Sequence, residues 1–440
     1  MYTPNAEGQP ETTNLYANQR RLLNATDSTV SSRSFSLDVA LVANLALEDK
    51  LEKEASTESN DACLKRMLSI KSVVSTSSSF AARQQQATGT SAMFREIGTG
   101  SIGKVFEHPR TVFVYKLPLA NDASKLWNNY KMHQRVKISF ESLPYVDGQV
   151  EIPECFWYAT SNSTAFWDDH INLFAFSPQF PKQRREVLCM ERIFPLPRPV
   201  RYSLIEKYCP PQGRSMAKTN EANKDCLVRP YLGRVKYGSG SNFFSLRNFK
   251  LHANQMQDLD LDMPELINAM AHAMAVLHWH TRIDGNDVEF VLGSSPMQEQ
   301  QVRGRMDLHT LNSYTGPTSN YEKITHSRAD FAKRLTSLWM IDFDDCSDIS
   351  MNQDGVEKAV KAFVDTNHYC PRPNSGNNFI QQAWYEFGKR YLDWSAKILE
   401  KTNFSNLKDY PLKFLVGVHE KTRKQEPAAG PSQGGRGKRR

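Results

Sequence analysis

Apolar and polar positions alternate over Met93 to Ile97, Lys104 to Phe106 and Thr111 to Leu117, which predicts three strands. In the last of these, Val112, Val114 and Lys116 share one face, and Phe113, Tyr115 and Leu117 share the other. From about Asp122 to Val136 the pattern lengthens to a helical one. The clearest helix is predicted over 262–279, where Met263, Leu266, Ile267, Met270, Met274 and Leu277 fall on one side. Asp262, Pro264 and Glu265 mark its start. Strands first and helices later predict an α+β chain with a small β-rich N-terminal lobe and a larger helical C-terminal lobe.

The ends of the chain look different. Residues 1–90 are rich in Ser, Thr, Asn and Gln, which predicts a mostly disordered extension in which Phe35 to Leu51 could form a short amphipathic helix. The β-rich lobe is expected over 91–198 and the helical lobe over 199–415, with a polar insert at about 294–334. Residues 416–440 form a flexible basic tail ending in Gly-Gly-Arg-Gly-Lys-Arg-Arg. Of the net charge of +7, residues 420–440 supply +5. The body is therefore nearly neutral, and contact with nucleic acid is expected only through the tail. No run approaches the roughly 20 apolar residues of a membrane helix. No secretory signal is visible either. An intracellular protein, cytoplasmic or nuclear and without a membrane partner, is the expectation. The seven cysteines are scattered and never spaced C-x-x-C, which predicts reduced thiols and no zinc.

Four segments carry candidate chemistry. Gly98-Thr-Gly100-Ser-Ile-Gly103 lies between two predicted strands, where glycines let backbone N–H groups approach phosphates. A strand rather than a helix follows it, the order of a kinase Gly-rich loop rather than a dinucleotide fold. Lys116 shares a strand face with two valines and so needs a partner or a phosphate. After the 262–279 helix, the loop Arg282-Ile-Asp284-Gly-Asn-Asp-Val-Glu289 places Asp284 as acceptor-positioning base and Glu289 five residues on as a metal ligand. The apolar run Leu338 to Ile341 then ends in Asp342-Phe-Asp344, which presents Asp342, with Asp344 beside it, to a magnesium ion.

The motifs Ile97 to Gly103, Leu126 to Tyr130, Met190 to Ile193, Leu277 to Trp279, Asp287 to Gly293, Trp339 to Asp344 and Asn367 to Pro373 resemble a filamentous-fungal family of unknown function. Members of that family carry the label "zinc finger protein". The resemblance spans roughly residues 92–400. It implies a kinase-like fold related to divergent protein kinases and small-molecule phosphotransferases, and a link to secondary-metabolite gene clusters. By analogy with kinases, ATP and Mg²⁺ are the expected cofactors. Gly98, Gly100, Gly103, Val105 and Lys116 are then the phosphate-side contacts, and the backbone at Met190 and Glu191 meets the adenine. Departures from an active kinase are also visible. Asn129 stands where the lysine's acidic partner is expected, Glu289 replaces an Asn, and no Ala-Pro-Glu follows Asp342. Two readings follow. One is a phosphotransferase acting on a protein or small-molecule acceptor; the other is a non-catalytic pseudokinase used as an interaction module.

Overall fold

The structure is a computed structural model that describes residues 57–69, 73–74, 93–108, 111–119, 123–143, 150–236, 244–298, 306–321, 329–373 and 376–425. It opens with α1 (Asn60–Leu68), capped by the Ser59 hydroxyl accepting from Ala62 N at 3.2 Å, and β1 (Val73–Val74). The three predicted strands follow as β2 (Arg95–Thr99), β3 (Gly103–Glu107) and β4 (Phe113–Pro118). Next come α2 (Ala123–Ser142), β5 (Cys155–Ala159), α3 (Thr164–His170) and β6 (Val187–Glu191). Together they make a five-stranded antiparallel sheet in the order β2-β3-β4-β6-β5.

Both faces of this sheet are covered, and all six residues of β4 are buried. Phe113, Tyr115 and Leu117 enter an aromatic core with Phe94, Phe106, Trp157, Phe166 and Trp167. On the other face, Leu126, Trp127 and Tyr130 of α2 pack over Tyr158 and Leu188. The alternation holds within β4, with Lys116 on the α2 side, but Val112, expected to share its face, enters the aromatic core with Phe113.

The chain continues through α4 (Arg198–Tyr208), α5 (Arg214–Thr219), β7 (Val228–Tyr231), β8 (Phe249–His252) and α6 (Ala253–Asp258) to α7 (Met263–Ala275). Asp262 caps α7 by accepting from Glu265 N at 3.3 Å. The helix then widens into a π turn over Val276–Thr281, which Arg282 ends in the left-handed conformation at φ 61°. β9 (Glu289–Gln298), α8 (Leu308–Ser313), β10 (Ala329–Ile341), α9 (Gln353–Asp365), α10 (Asn378–Lys401) and α11 (Tyr410–Gln425) complete it. A second five-stranded sheet runs β1-β10-β9-β7-β8, antiparallel except for the β7–β8 pair.

A buried quartet of charges ties the first sheet to the segment before β7. Arg192, 1% exposed, pairs with Glu107, and its Nη2 lies 3.8 Å from Asp225. Arg95 of β2 reaches Glu107 and Asp225, each at 2.6 Å.

Three expectations about the chain's organisation are corrected. The expected disorder up to residue 90 does not hold for α1. Its Cys63, Leu64, Met67 and Leu68 are buried in the second core, and Met67 O accepts from Thr336 Oγ1 at 3.3 Å. The expected polar insert is strand at both margins, and its middle returns to the first sheet. There Leu311 is buried with Leu126 and Trp127, and Asn320 bonds Tyr158 twice, N–H to O at 3.0 Å and Oδ1 from N at 2.7 Å. This strap covers β5, which would otherwise be an open edge. The helical body also runs beyond 415, because Phe414, Leu415 and Val418 of α11 are buried. The expected helix over Phe35 to Leu51 and residues 426–440 of the tail lie outside the described residues. Among the described residues no helix is long and apolar enough to cross a membrane.

Candidate functional site

The Gly-rich segment is the β2–β3 hairpin, closed by Gly100 N donating to Gly103 O at 2.8 Å. Its glycines differ in what they require. A Cβ on Gly98 or Gly100 would meet nothing nearer than 3.8 Å, so no packing demand explains these two. A Cβ on Gly103 would lie 2.6 Å from Leu117 O, so Gly103 is fixed by the close crossing of β3 over β4. We expect Gly103→Ala to lower stability by about 2 kcal/mol and Gly98→Ala to leave it nearly unchanged, as thermal unfolding of each variant will read.

β4 carries Lys116 beneath this hairpin, in register with Val105. Its Nζ donates to Asp342 Oδ1 at 2.6 Å, and Asp344 Oδ2 is 3.6 Å away. Burial alone would lower the lysine's pKa, but the two carboxylates outweigh it and the net shift is upward. Burial likewise raises the Asp342 carboxyl, and Lys116 outweighs that, so the net shift is downward. Asp342 follows β10 in the left-handed conformation at φ 66°. The Asn129 amide of α2 donates to the same Oδ1 at 3.3 Å, while its own carbonyl oxygen is buried and has no hydrogen bond among the described residues. The lysine that lacks an acidic partner on α2 therefore leans on the acid after β10.

The acidic loop departs from the expected roles. Asp284 is 3% exposed and its carboxylate is engaged as a cap. Oδ1 accepts from Ser347 N at 3.0 Å and Asn286 N at 3.1 Å, and Oδ2 accepts from Ser347 Oγ at 2.6 Å. Glu289 forms an ion pair with Arg229 at 2.6 Å and is pushed up to about 7, mainly by burial. Asp344 is pushed up to about 6 by burial and then by Asp342. The side chains that converge are Asp287, Asp344 and Asp345, whose oxygens lie within 4.8 Å of one another. Asp287 is turned toward them by a left-handed φ of 59°, and its N–H donates to Thr366 Oγ1 at 2.9 Å. Asn128 holds the other side by donating to Asp344 O at 2.8 Å and Cys346 O at 2.9 Å. Of the expected metal set, Asp344 thus joins a cluster, Asp342 is held by Lys116, and Glu289 is held by Arg229. Sequence reasoning missed Asp287 and Asp345, and the only signal was their density around Asp284 and Asp342. An all-oxygen set suits a hard cation such as magnesium.

The residues expected at the adenine lie within the first sheet. Met190 is in register with Val114 on one side and Cys155 on the other, and Glu191 N donates to Glu154 O at 2.7 Å. That backbone is spent inside the sheet. The Ile193 backbone, just past β6, forms no hydrogen bond with described residues.

A family described as zinc finger protein matches residues 338–403, from the end of β10 through α10. No curated protein and no solved structure matches the chain. The matched segment contains Cys346, His368 and Cys370. Cys346 Sγ donates to Asn286 O at 3.4 Å, Cys370 Sγ accepts from Asn367 Nδ2 at 3.5 Å, and His368 Nδ1 faces Arg234. These three are each engaged separately, while the same segment supplies Asp342, Asp344 and Asp345.

Proposed function

We propose that the chain is a divergent kinase-like phosphotransferase that takes a nucleoside triphosphate and magnesium between its two sheets. The observation that carries this reading is the Lys116–Asp342 pair, 2.6 Å long, between residues 226 apart and beneath a Gly-rich hairpin. A lysine on a sheet below a glycine loop and an acid closing a later strand are the two charges that such sites place on opposite sides of a metal-bound triphosphate. An early antiparallel sheet with α2, followed by a part that holds most of the helices, is compatible with this reading.

Asp287, Asp344 and Asp345 would hold the magnesium, with Asp342 joining when phosphate replaces it at Lys116. The metal would supply charge neutralisation at the phosphates. Gly98 and Gly100 leave the hairpin backbone open to phosphate oxygens, and Ile193 offers the free peptide for the base. In the transfer, the acceptor oxygen bonds to the γ-phosphorus as the bond from that phosphorus to the β–γ bridging oxygen breaks. The acceptor proton passes to a loop carboxylate, and the nucleoside diphosphate leaves with the bond's electron pair.

One observation favours the non-catalytic reading, a pseudokinase serving as an interaction module. Asp284, the expected base, is committed to Ser347. Thermal unfolding with and without ATP and magnesium separates the two. Binding at 100 times the dissociation constant stabilises a fold by about 2.7 kcal/mol. We expect a magnesium-dependent rise in melting temperature that Gly98→Ala weakens and Asp342→Asn abolishes. No rise at millimolar ATP would overturn the phosphotransferase and leave the interaction module.

A further inference from the structure

The β7–β8 pair carries cations that, apart from Arg229, the candidate site does not use. The parallel register places Arg229 beside Lys250 and Tyr231 beside His252. Tyr231 is the centre of the patch. Its ring lies 5.8 Å from that of His252 and 6.0 Å from that of His368, and Lys250 Nζ sits 5.5 Å from its centroid. Arg234 Nη2 is 3.1 Å from His368 Nδ1, so that nitrogen accepts and His368 is neutral in this arrangement.

Backbone pairing holds the patch rigid. Leu232 N donates to Tyr369 O at 2.9 Å and Gly233 N to His368 O at 3.3 Å. Gly233 permits this approach, because a Cβ there would lie 2.4 Å from Cys370 O. Among the described residues, Arg234, Lys236 and Lys250 form no ion pair with a carboxylate. Burial first, then Arg234, Arg372 and Lys250, push His368 down to about 4. Cations held together without a counter-charge repel one another, and a bound anion relieves that cost.

The patch also adjoins the acidic loop. Thr366, two residues before His368, accepts from Asp287 N, and Arg229 pairs with Glu289. We propose that Arg234, Lys250 and His368 bind an anionic group, phosphate or carboxylate, of the molecule whose hydroxyl receives the phosphoryl group. This assignment rests on the phosphotransferase reading above. It makes the acceptor an acidic small molecule.

The test titrates the full chain with inorganic phosphate at constant ionic strength, without nucleotide, following the histidine Cε1–H resonances and the melting temperature. We expect a saturable shift of the His368 resonance that chloride does not produce. Arg234→Ala/Lys250→Ala should weaken it at least tenfold, and Lys116→Met should leave it in place. Acetate and citrate in parallel titrations tell a carboxylate site from a phosphate site. A response that is linear, matched by chloride, or kept by the double variant but lost in Lys116→Met would overturn the assignment. An ATP–magnesium shift without this response overturns the anion site alone. The response without an ATP–magnesium shift overturns the phosphotransferase reading and the acceptor role with it.

Discussion

Lys116→Met is expected to lower the folding free energy at pH 7 by about 3 kcal/mol, the low end for breaking a buried ion pair. The ammonium is the counter-charge for two carboxylates, at 2.6 and 3.6 Å. Removing it leaves Asp342 and Asp344 facing each other in a site that already pushes Asp344 up to about 6. Lys116→Met/Asp342→Asn should recover much of the loss, because it removes the unpaired charge as well. The pH sign follows from the two shifts. Asp342 is lowered in the fold, so its share is present above the unfolded carboxylate value of about 4 and is lost as pH falls. Lys116 is raised, so its share is present below the unfolded value of about 10.5 and is lost as pH rises through the folded value. Denaturant unfolding of both variants at pH 3, 7 and 11 checks this. Equal losses at all three values, or no recovery in the double variant, would mean that the pair does not act as described.

The second large effect concerns the buried quartet. Arg192→Met is expected to cost on the order of 3 kcal/mol, since it leaves Glu107 and Asp225 to share Arg95. Arg192 also lies over the Phe194 ring at 5.1 Å, so its removal costs packing as well. The loss should not be uniform. Hydrogen exchange should rise in β2 and β3, which carry Arg95 and Glu107, more than in α7 and α10, which do not touch the quartet. Exchange that rises equally throughout would show that the quartet does not tie the first sheet in place.

The alternation of β2 to β4, the cap of α7, Lys116 and Asp342 were legible because each depends on near neighbours in sequence. α1 was not. Its Leu64, Met67 and Leu68 make a short stripe in a polar stretch, and only the surface of α4 and β10 gives that stripe somewhere to go. α11 was hidden because its buried Phe414, Leu415 and Val418 stand in a stretch that also carries Lys413, Lys421 and Lys424. Asp287 and Asp345 belong together only because a left-handed residue turns one loop toward another 58 residues on. The Arg229–Glu289 pair spans 60 residues and takes Glu289 out of the metal set, which no spacing rule foretells. Local periodicity therefore located the elements and two of the charges. The partners of those charges came from tertiary contact.

The strap over β5 sets an order of assembly. Asn320 closes the backbone of Tyr158, 162 residues earlier, and Tyr321 covers Trp157 at 4.8 Å. As the chain leaves the ribosome, the first sheet can pair its five strands once β6 has emerged, but its outer margin stays unsealed until residue 321 follows. That margin offers free strand backbone to any neighbouring nascent chain for the whole interval. Such a distant closure also raises the contact order of a sheet whose own hairpins are local, so its last step is slow.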